Sequence, residues 1–271
     1  QVIRVLMDEL TRIASHELWW GAMAMDLGAF TPFFHAFRER ESINDIMEET
    51  CGARLTMNYM VPGGVMHDLH PNFQKRVKEF LQLYKRKIHE YDELVTGNVI
   101  FQNRMKGVGY LSAEDAISYG VTGPAARGSG VSSDIRKLYP YEIYDKLEFD
   151  EVLETAGDSF ARYMIRINEM HQSIRIIEQL IDNIPEGDFQ AKTKNVLKLP
   201  KGDFYTRVET ARGELGVYIV SEGGNTPYRI KFRSPGFSNL SVLDHMARGS
   251  KIGDLVAMMG TLDLVIPDID R

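Results

Sequence analysis

Apolar residues recur at helical spacing along most of the chain. Residues 2–28 read as one long helix: good helix formers dominate, no proline interrupts, Gly28 is suited to end it and Pro32 lies beyond. After His16 this helix becomes apolar on all sides, in the stretch LWWGAMAM, which is the pattern of a buried helix. A second helix is predicted at about residues 34–50, and a third from an Asn72 cap to about Thr96, with the turn signal VPGGV before it. Ser112 and Asp115 have the spacing of a capping box for a short helix closed by Gly120. GVTGPAARGSG, residues 120–130, reads as an irregular glycine-rich loop, and residues 157–184 as a further long helix stopped by Pro185.

The period then changes from helical to alternating. Residues 204–209, 215–221 and 228–232 read as strands, with SEGGNTP as the turn between the last two. Two shorter helices follow, at about 240–248 and 252–259. The predicted fold class is mainly α: one multi-helical domain over residues 1–271, with a small antiparallel β-sheet near residues 204–232. The chain opens on Gln1 inside a helical pattern, so a preceding N-terminal part is expected. It closes on GTLDLVIPDIDR, whose apolar residues predict a tucked tail and whose Asp263, Asp268 and Asp270 then need partners, with Arg271 among the available cations.

Composition narrows the chemistry. A net charge of −6 argues against a nucleic-acid partner, since there is no basic excess to meet phosphates. Cys51 is the single cysteine, which excludes an internal disulfide and any metal site built from two or four cysteines of this chain. It reads as a small core or interface residue. No apolar run reaches the length of a membrane span, and no signal peptide is visible.

Glu9, Arg12 and His16 stack on one face of the first helix and read as a salt-bridged polar network. Asp26 ends the apolar segment, so it is expected either to pair with a cation or to have a raised pKa and pass on a proton. His16 and Asp26 lie roughly 280° apart around the helix and do not form a dyad. His67, Asp68 and His70 read as a polar turn rather than a metal motif, and ARGSG offers a backbone nest for an anion without the Lys-Ser/Thr pair of a phosphate loop. No motif for a resident metal or nucleotide is present, so the chain is expected to bind no cofactor of its own.

Five stretches together resemble one family: AMDLGAFTPFFHAFRERESI, CGARLTMNYMVPGGVMHDL, ARGSGVSSDIRKLYPYEIYD, ELGVYIVSEGGNTPYRIKFRSPGF and the closing GTLDLVIPDIDR. They are similar to the D subunit of the proton-pumping NADH:quinone oxidoreductase, respiratory complex I, a relative of nickel–iron hydrogenase large subunits. The resemblance runs from Gln1 to Arg271 and implies the C-terminal two-thirds of such a subunit. It implies quinone as substrate, in a cavity shared with a small subunit that holds the terminal iron–sulfur cluster, with a membrane subunit below. NADH and FMN would be bound by other partners, and the quinone-holding His and Tyr would lie before Gln1. In a bacterium, the expected location is the cytoplasmic face of the plasma membrane.

The acid of the family's LDLG motif falls on Asp26, which implies a catalytic role in coupling quinone reduction to proton movement. Val265 falls on the quinone-cavity wall, where hydrogenases carry metal-binding cysteines that are missing here. Thr56 stands where some members have a histidine after GAR, so the proton coupling attached to that position is not expected. The competing readings are the large subunit of a hydrogenase or of a ferredoxin- or deazaflavin-linked oxidoreductase, or a helical scaffold without chemistry.

Overall fold

Helix α1 (Val2–Asp26) is the element on which α2, α8 and α11 pack. Val5, Leu6, Leu10, Ile13 and Trp20 are wholly buried along it, as its apolar residues predict. It ends at Leu27, and Gly28, at φ +97°, reverses the chain in a conformation that favours glycine. Helix α2 (Phe30–Cys51) then folds back on α1. Gly21 allows the close approach: a Cβ there would lie 3.1 Å from the Phe33 Cα. This second helix starts earlier than the predicted residue 34, because Pro32 sits in its first turn, where a missing N–H costs nothing.

The computed structural model describes residues 1–194 and 198–270. After α2 come the two-residue strands β1 (Met60–Val61) and β2 (Gly64–Val65), which make the VPGGV stretch a tight hairpin. Helix α3 (Phe73–Tyr91) runs on through a π-helical turn, Asp92–Thr96, matching the predicted end. Asn72 takes the cap position without a side-chain hydrogen bond. Helix α4 (Val99–Met105) is capped by Asn98, whose side chain accepts from the Ile100 N–H at 2.9 Å. Helix α5 (Ala113–Ser118) has the capping serine that its sequence announces, with Ser112 Oγ accepting from the Asp115 N–H at 3.0 Å.

The glycine-rich stretch is more ordered than an irregular loop. It holds helix α6 (Pro124–Arg127), with proline in the first turn, and is followed by α7 (Ile135–Leu138). The long helix α8 (Ser159–Ile181) is capped by Asp158 and packs on α1. Strands β3 (Gly202–Thr210), β4 (Gly213–Ser221) and β5 (Arg229–Arg233) form the expected antiparallel sheet in the order β3-β4-β5, with Thr210 opposite Gly213 across a two-residue turn. The helix predicted near 240–248 is instead two, α9 (Pro235–Ser241) and α10 (Leu243–Ala247), followed by α11 (Ile252–Leu262) and α12 (Ile266–Ile269).

Two apolar clusters result. The larger joins α1, α2, α3 and α8, and the smaller lies around Val121, Ala125, Val242 and Met258. The tail is anchored at Leu262, which is fully buried, while Ile266 is largely exposed. The predicted tuck therefore holds for the first half of the tail only. Arg271, and with it any ion pair to the tail acids, lies outside the described residues.

Gly123 joins the sheet to the helices. Its φ is +69°, and an added Cβ would collide with the Arg212 carbonyl oxygen and sit 2.5 Å from the Gly213 Cα, whereas Gly249, at φ +79°, has open space around it. Gly123→Ala is expected to destabilise the protein by about 3 kcal/mol or more, and Gly249→Ala by about 1 kcal/mol, in urea unfolding.

Candidate functional site: a buried ion network and an open helix face

The predicted polar stripe of α1 is a buried network rather than a solvated one. Glu9, Arg12 and His16 are at most 3% exposed. Glu9 accepts hydrogen bonds from Arg136 Nη1 at 3.0 Å, Tyr144 Oη at 2.7 Å and Ser173 Oγ at 2.6 Å, and Arg12 Nε lies 3.3 Å away. These cations and hydroxyls hold its carboxyl below the ordinary range despite burial, which alone would raise it. Arg136 is held in turn by Asp134, at 2.7 Å. Arg12 donates to the Glu209 carbonyl oxygen at 2.7 Å.

A second branch begins at His16, whose Nε2 donates to Glu169 at 2.8 Å. Burial keeps this imidazole below its usual pKa against the pull of Glu169, so it serves as a neutral donor. Arg127 bridges Glu169 and Glu209, with 2.8 Å to the latter. Arg127 comes from the ARGSG stretch. The N–H groups of Arg127, Gly128, Ser129 and Gly130 all donate to backbone carbonyls, so the anion nest expected there is already filled. Sequence reasoning missed Arg127, Asp134, Arg136, Glu169 and Glu209. The available signal was in α8, where Arg162, Arg166 and Glu169 recur four and three residues apart among apolar neighbours.

A neighbouring sector of α1 is open. Asp8, Thr11, Ser15, Leu18, Ala22, Met25 and Asp26 are its non-buried positions beyond the first turn, spaced by three and four residues on one face. Two cavities lie along this face. One, of about 420 Å³, is lined by Asp8, Arg12, Tyr141 and Arg212 among others. The other, of about 220 Å³, is lined by Ser15, Leu18, Arg54 and Thr56. Thr56 holds φ +52°, a strained conformation for a β-branched residue. Arg54 is paired with Asp45 at 2.8 Å and with Glu41 and Glu48.

Asp26 stands in a different setting from the one its apolar run predicts. It is exposed at the C-terminal end of α1 and, among the described residues, makes no ion pair or side-chain hydrogen bond. The apolar run before it is buried at Trp19, Trp20, Met23 and Ala24 but half-buried at Leu18, Ala22 and Met25, so the described residues do not supply the expected apolar shell. Asp26 lies on the same face as Asp8, five turns and about 27 Å along the axis. Val265 is half-buried at the start of α12, and neither it nor Asp26 lines the two cavities. The tail is nevertheless fastened to α1: Trp19 Nε1 donates to the Gly260 carbonyl oxygen at 2.6 Å. Asp263 is paired with Arg212 at 3.1 Å, and Asp268 accepts from Ser234 Oγ.

The remaining candidates are simpler. His67 and Asp68 are exposed in the turn before α3, as expected, and His70 lies 3.9 Å from Glu49. Cys51 is half-buried against the larger core, and burial pushes its thiol up to about 11. Among the described residues, no group of three or more His, Cys, Asp or Glu side chains is placed to hold a metal ion. No described helix is long and apolar enough to cross a membrane.

The architecture is thus a charge-cored helical chain with two of its cavities along one face of α1. Residues 26–271 match the family described as respiratory-chain NADH dehydrogenase, 49 Kd subunit. The chain is 56% identical over 269 residues to the C/D subunit of NADH-quinone oxidoreductase from Bacteroides thetaiotaomicron, covering 99% of this chain and 51% of that protein. It is 46% identical to the NADH-quinone oxidoreductase D 2 subunit of Solibacter usitatus and 46% identical to the D subunit of Desulfotalea psychrophila, covering all of this chain and 73% of each relative. The chain belongs to the 49 kDa subunit family of respiratory-chain NADH dehydrogenase. It spans about half the length of the C/D relatives that it matches.

Asp8 gives the site a pH signature. Asp8 keeps some solvent contact, but the protein packed around its carboxyl desolvates it, and this first, then the Glu9 charge, pushes it up to about 7 against the opposing pull of Arg12. A folded pKa above the unfolded one means that this carboxyl favours folding at low pH, with the benefit lost as pH rises from about 4 to about 7. Asp8→Asn is expected to remove that decline, a difference of up to about 1.4 kcal/mol per pH unit in unfolding free energy measured across the window.

Proposed function

We propose that the chain works as the D subunit of a membrane-associated NADH:quinone oxidoreductase, and that the open face of α1 forms one wall of its quinone-reduction cavity. The observation that carries this reading is the continuous run of non-buried positions from Asp8 to Asp26 on an otherwise buried helix. A helix clamped on its other sides and open on one leaves a firm surface for a partner to cover. The names of the relatives, D and C/D subunits of NADH-quinone oxidoreductases, support the assignment to this activity.

In this reading the opposite wall belongs to a small partner subunit, whose iron–sulfur cluster would supply the electrons for quinone reduction. NADH and FMN are bound elsewhere in the assembly, a membrane subunit lies below the cavity, and the complex faces the bacterial cytoplasm. Asp26 ends the open face. Once a partner covers it, the carboxyl is desolvated, its protonated form is favoured, and it can exchange a proton as the charge on the quinone changes. Val265 offers an apolar contact for the quinone ring or tail. The proton movement is coupled to translocation through the membrane subunit.

Asp26→Asn in the assembled complex is expected to lower NADH:quinone reductase activity at least about tenfold. Electron transfer from NADH to a soluble artificial acceptor, which bypasses the quinone cavity, is expected to remain. Val265→Trp is expected to raise the KM for quinone with the same acceptor activity retained. Unchanged quinone kinetics in both variants would overturn the assignment of the site and leave a scaffold.

A further inference from the structure

On the far side of α1 from Asp8 and Asp26, roughly 180° around the helix, lies a set of buried ionisable groups that the quinone reading does not use. Glu17 is wholly buried. Its Oε1 accepts a long hydrogen bond from Tyr91 Oη at 3.3 Å, and among the described residues its Oε2 has no hydrogen-bond partner. From α2, Glu39 is 1% exposed. Its Oε1 accepts from Arg38 Nε at 3.0 Å and Nη2 at 2.5 Å, and its Oε2 is also without a partner.

Tyr84 also hydrogen-bonds the Glu17 carboxyl and the Arg40 charge favours its ionised form, but among the described residues neither gives the Oε2 atom of Glu17 or of Glu39 a partner. From α2, Arg40 Nε is buried and unpartnered. From α3, Glu90 lies 3.9 Å from Arg38 and so shares that cation. Tyr84 Oη donates to the Met170 sulfur of α8 at 3.0 Å, and the Tyr91 ring stacks on Trp20 with centroids 4.0 Å apart. Among the described residues, Arg38 is the one cation hydrogen-bonded to either buried carboxyl, and it bonds Glu39; Arg40 acts on Glu17 without a hydrogen bond. A buried carboxylate without a cation is far more costly than a neutral acid, so such a group takes up a proton. Each orphan oxygen can be relieved by the same hydrogen, as the donor on one side and the acceptor on the other.

We propose that Glu17 and Glu39 hold one proton between them at neutral pH, Glu17 as the acid and Glu39 as the Arg38-paired carboxylate, making a buried proton-binding site between α1 and α2. The Glu17 O–H donates to the free Glu39 oxygen, a charge-assisted bond stronger than a neutral one. Burial and the neighbouring Glu39 charge push the Glu17 carboxyl well above the ordinary glutamate range, which agrees with this arrangement. Loss of the proton would set two negative charges against each other inside the hairpin whose turn directly follows Asp26. The site thus ties protonation to the packing of α1 on α2, independently of what covers the open face.

The test is isotope-edited infrared absorption of the intact protein with labelled glutamate carboxyls, at about pH 7, well above the ordinary glutamate pKa. The unsubstituted protein is expected to show a neutral glutamic-acid absorption that Glu17→Gln removes. Glu39→Gln is expected to keep it at a shifted frequency, because the acid then donates to an amide oxygen. Absence of a neutral-acid absorption, its persistence unaltered in Glu17→Gln, or an unshifted band in Glu39→Gln would each overturn the proposal. If a variant fails to fold, titration of the unsubstituted protein decides. Retention of the band above neutral pH supports the site, and its loss within about one unit of the ordinary glutamate pKa contradicts it.

Discussion

The pairing of Glu9 with Arg136 is the constraint on which the rest depends. Neither group could be buried alone, because an isolated charge in an apolar interior is prohibitively costly. Each therefore requires the other, and each requires further partners: Tyr144 and Ser173 for Glu9, Asp134 for Arg136. Through Arg12, Glu209, Arg127, Glu169 and His16, the same requirement passes from α1 to the glycine-rich segment, the first strand of the sheet and α8. Hydrophobic packing would bring these elements together with some freedom of register. The network permits one register, because a shift of a residue would leave several buried charges unpaired.

Seen down its axis, α1 has three sectors. One carries Glu9, Arg12 and His16 into the ion network, and another carries Glu17 toward α2 and α3. The third, from Asp8 to Asp26, is left open. The first two fix the helix in position and orientation, so the third is presented as a firm surface rather than a mobile one. The tail is brought to this helix by the Trp19 contact to Gly260, and Asp263 is held by Arg212, which also lines the larger cavity. Site residues distant in sequence are in this way referred to one helix.

What the sequence disclosed follows from the range of each interaction. The long helices and the antiparallel sheet were legible because their periodicity and caps are local, as with Ser112 and Asp115 or the strands that flank Ala211 and Arg212. The short helices at Pro124–Arg127 and Ile135–Leu138 were not, since they are only one turn long and are held by distant carboxylates such as Glu209. Glu9, Arg12 and His16 were legible as one face but not as buried, because their partners lie more than a hundred residues away. The exposure of Asp26 was not legible for a related reason. An apolar run predicts that a helix is covered without saying by what, and this chain covers the end of α1 on only some sides.

The central claim is that the open face of α1 is the wall against which quinone is held. Photo-crosslinking of a quinone analogue in the assembled complex, followed by peptide mapping, tests it most directly. The account predicts adducts on the peptide containing Leu18, Ala22 and Asp26 and on the tail around Val265, reduced by excess unmodified quinone. Competable adducts on the exposed sheet, or on partner chains with none on α1, would contradict it.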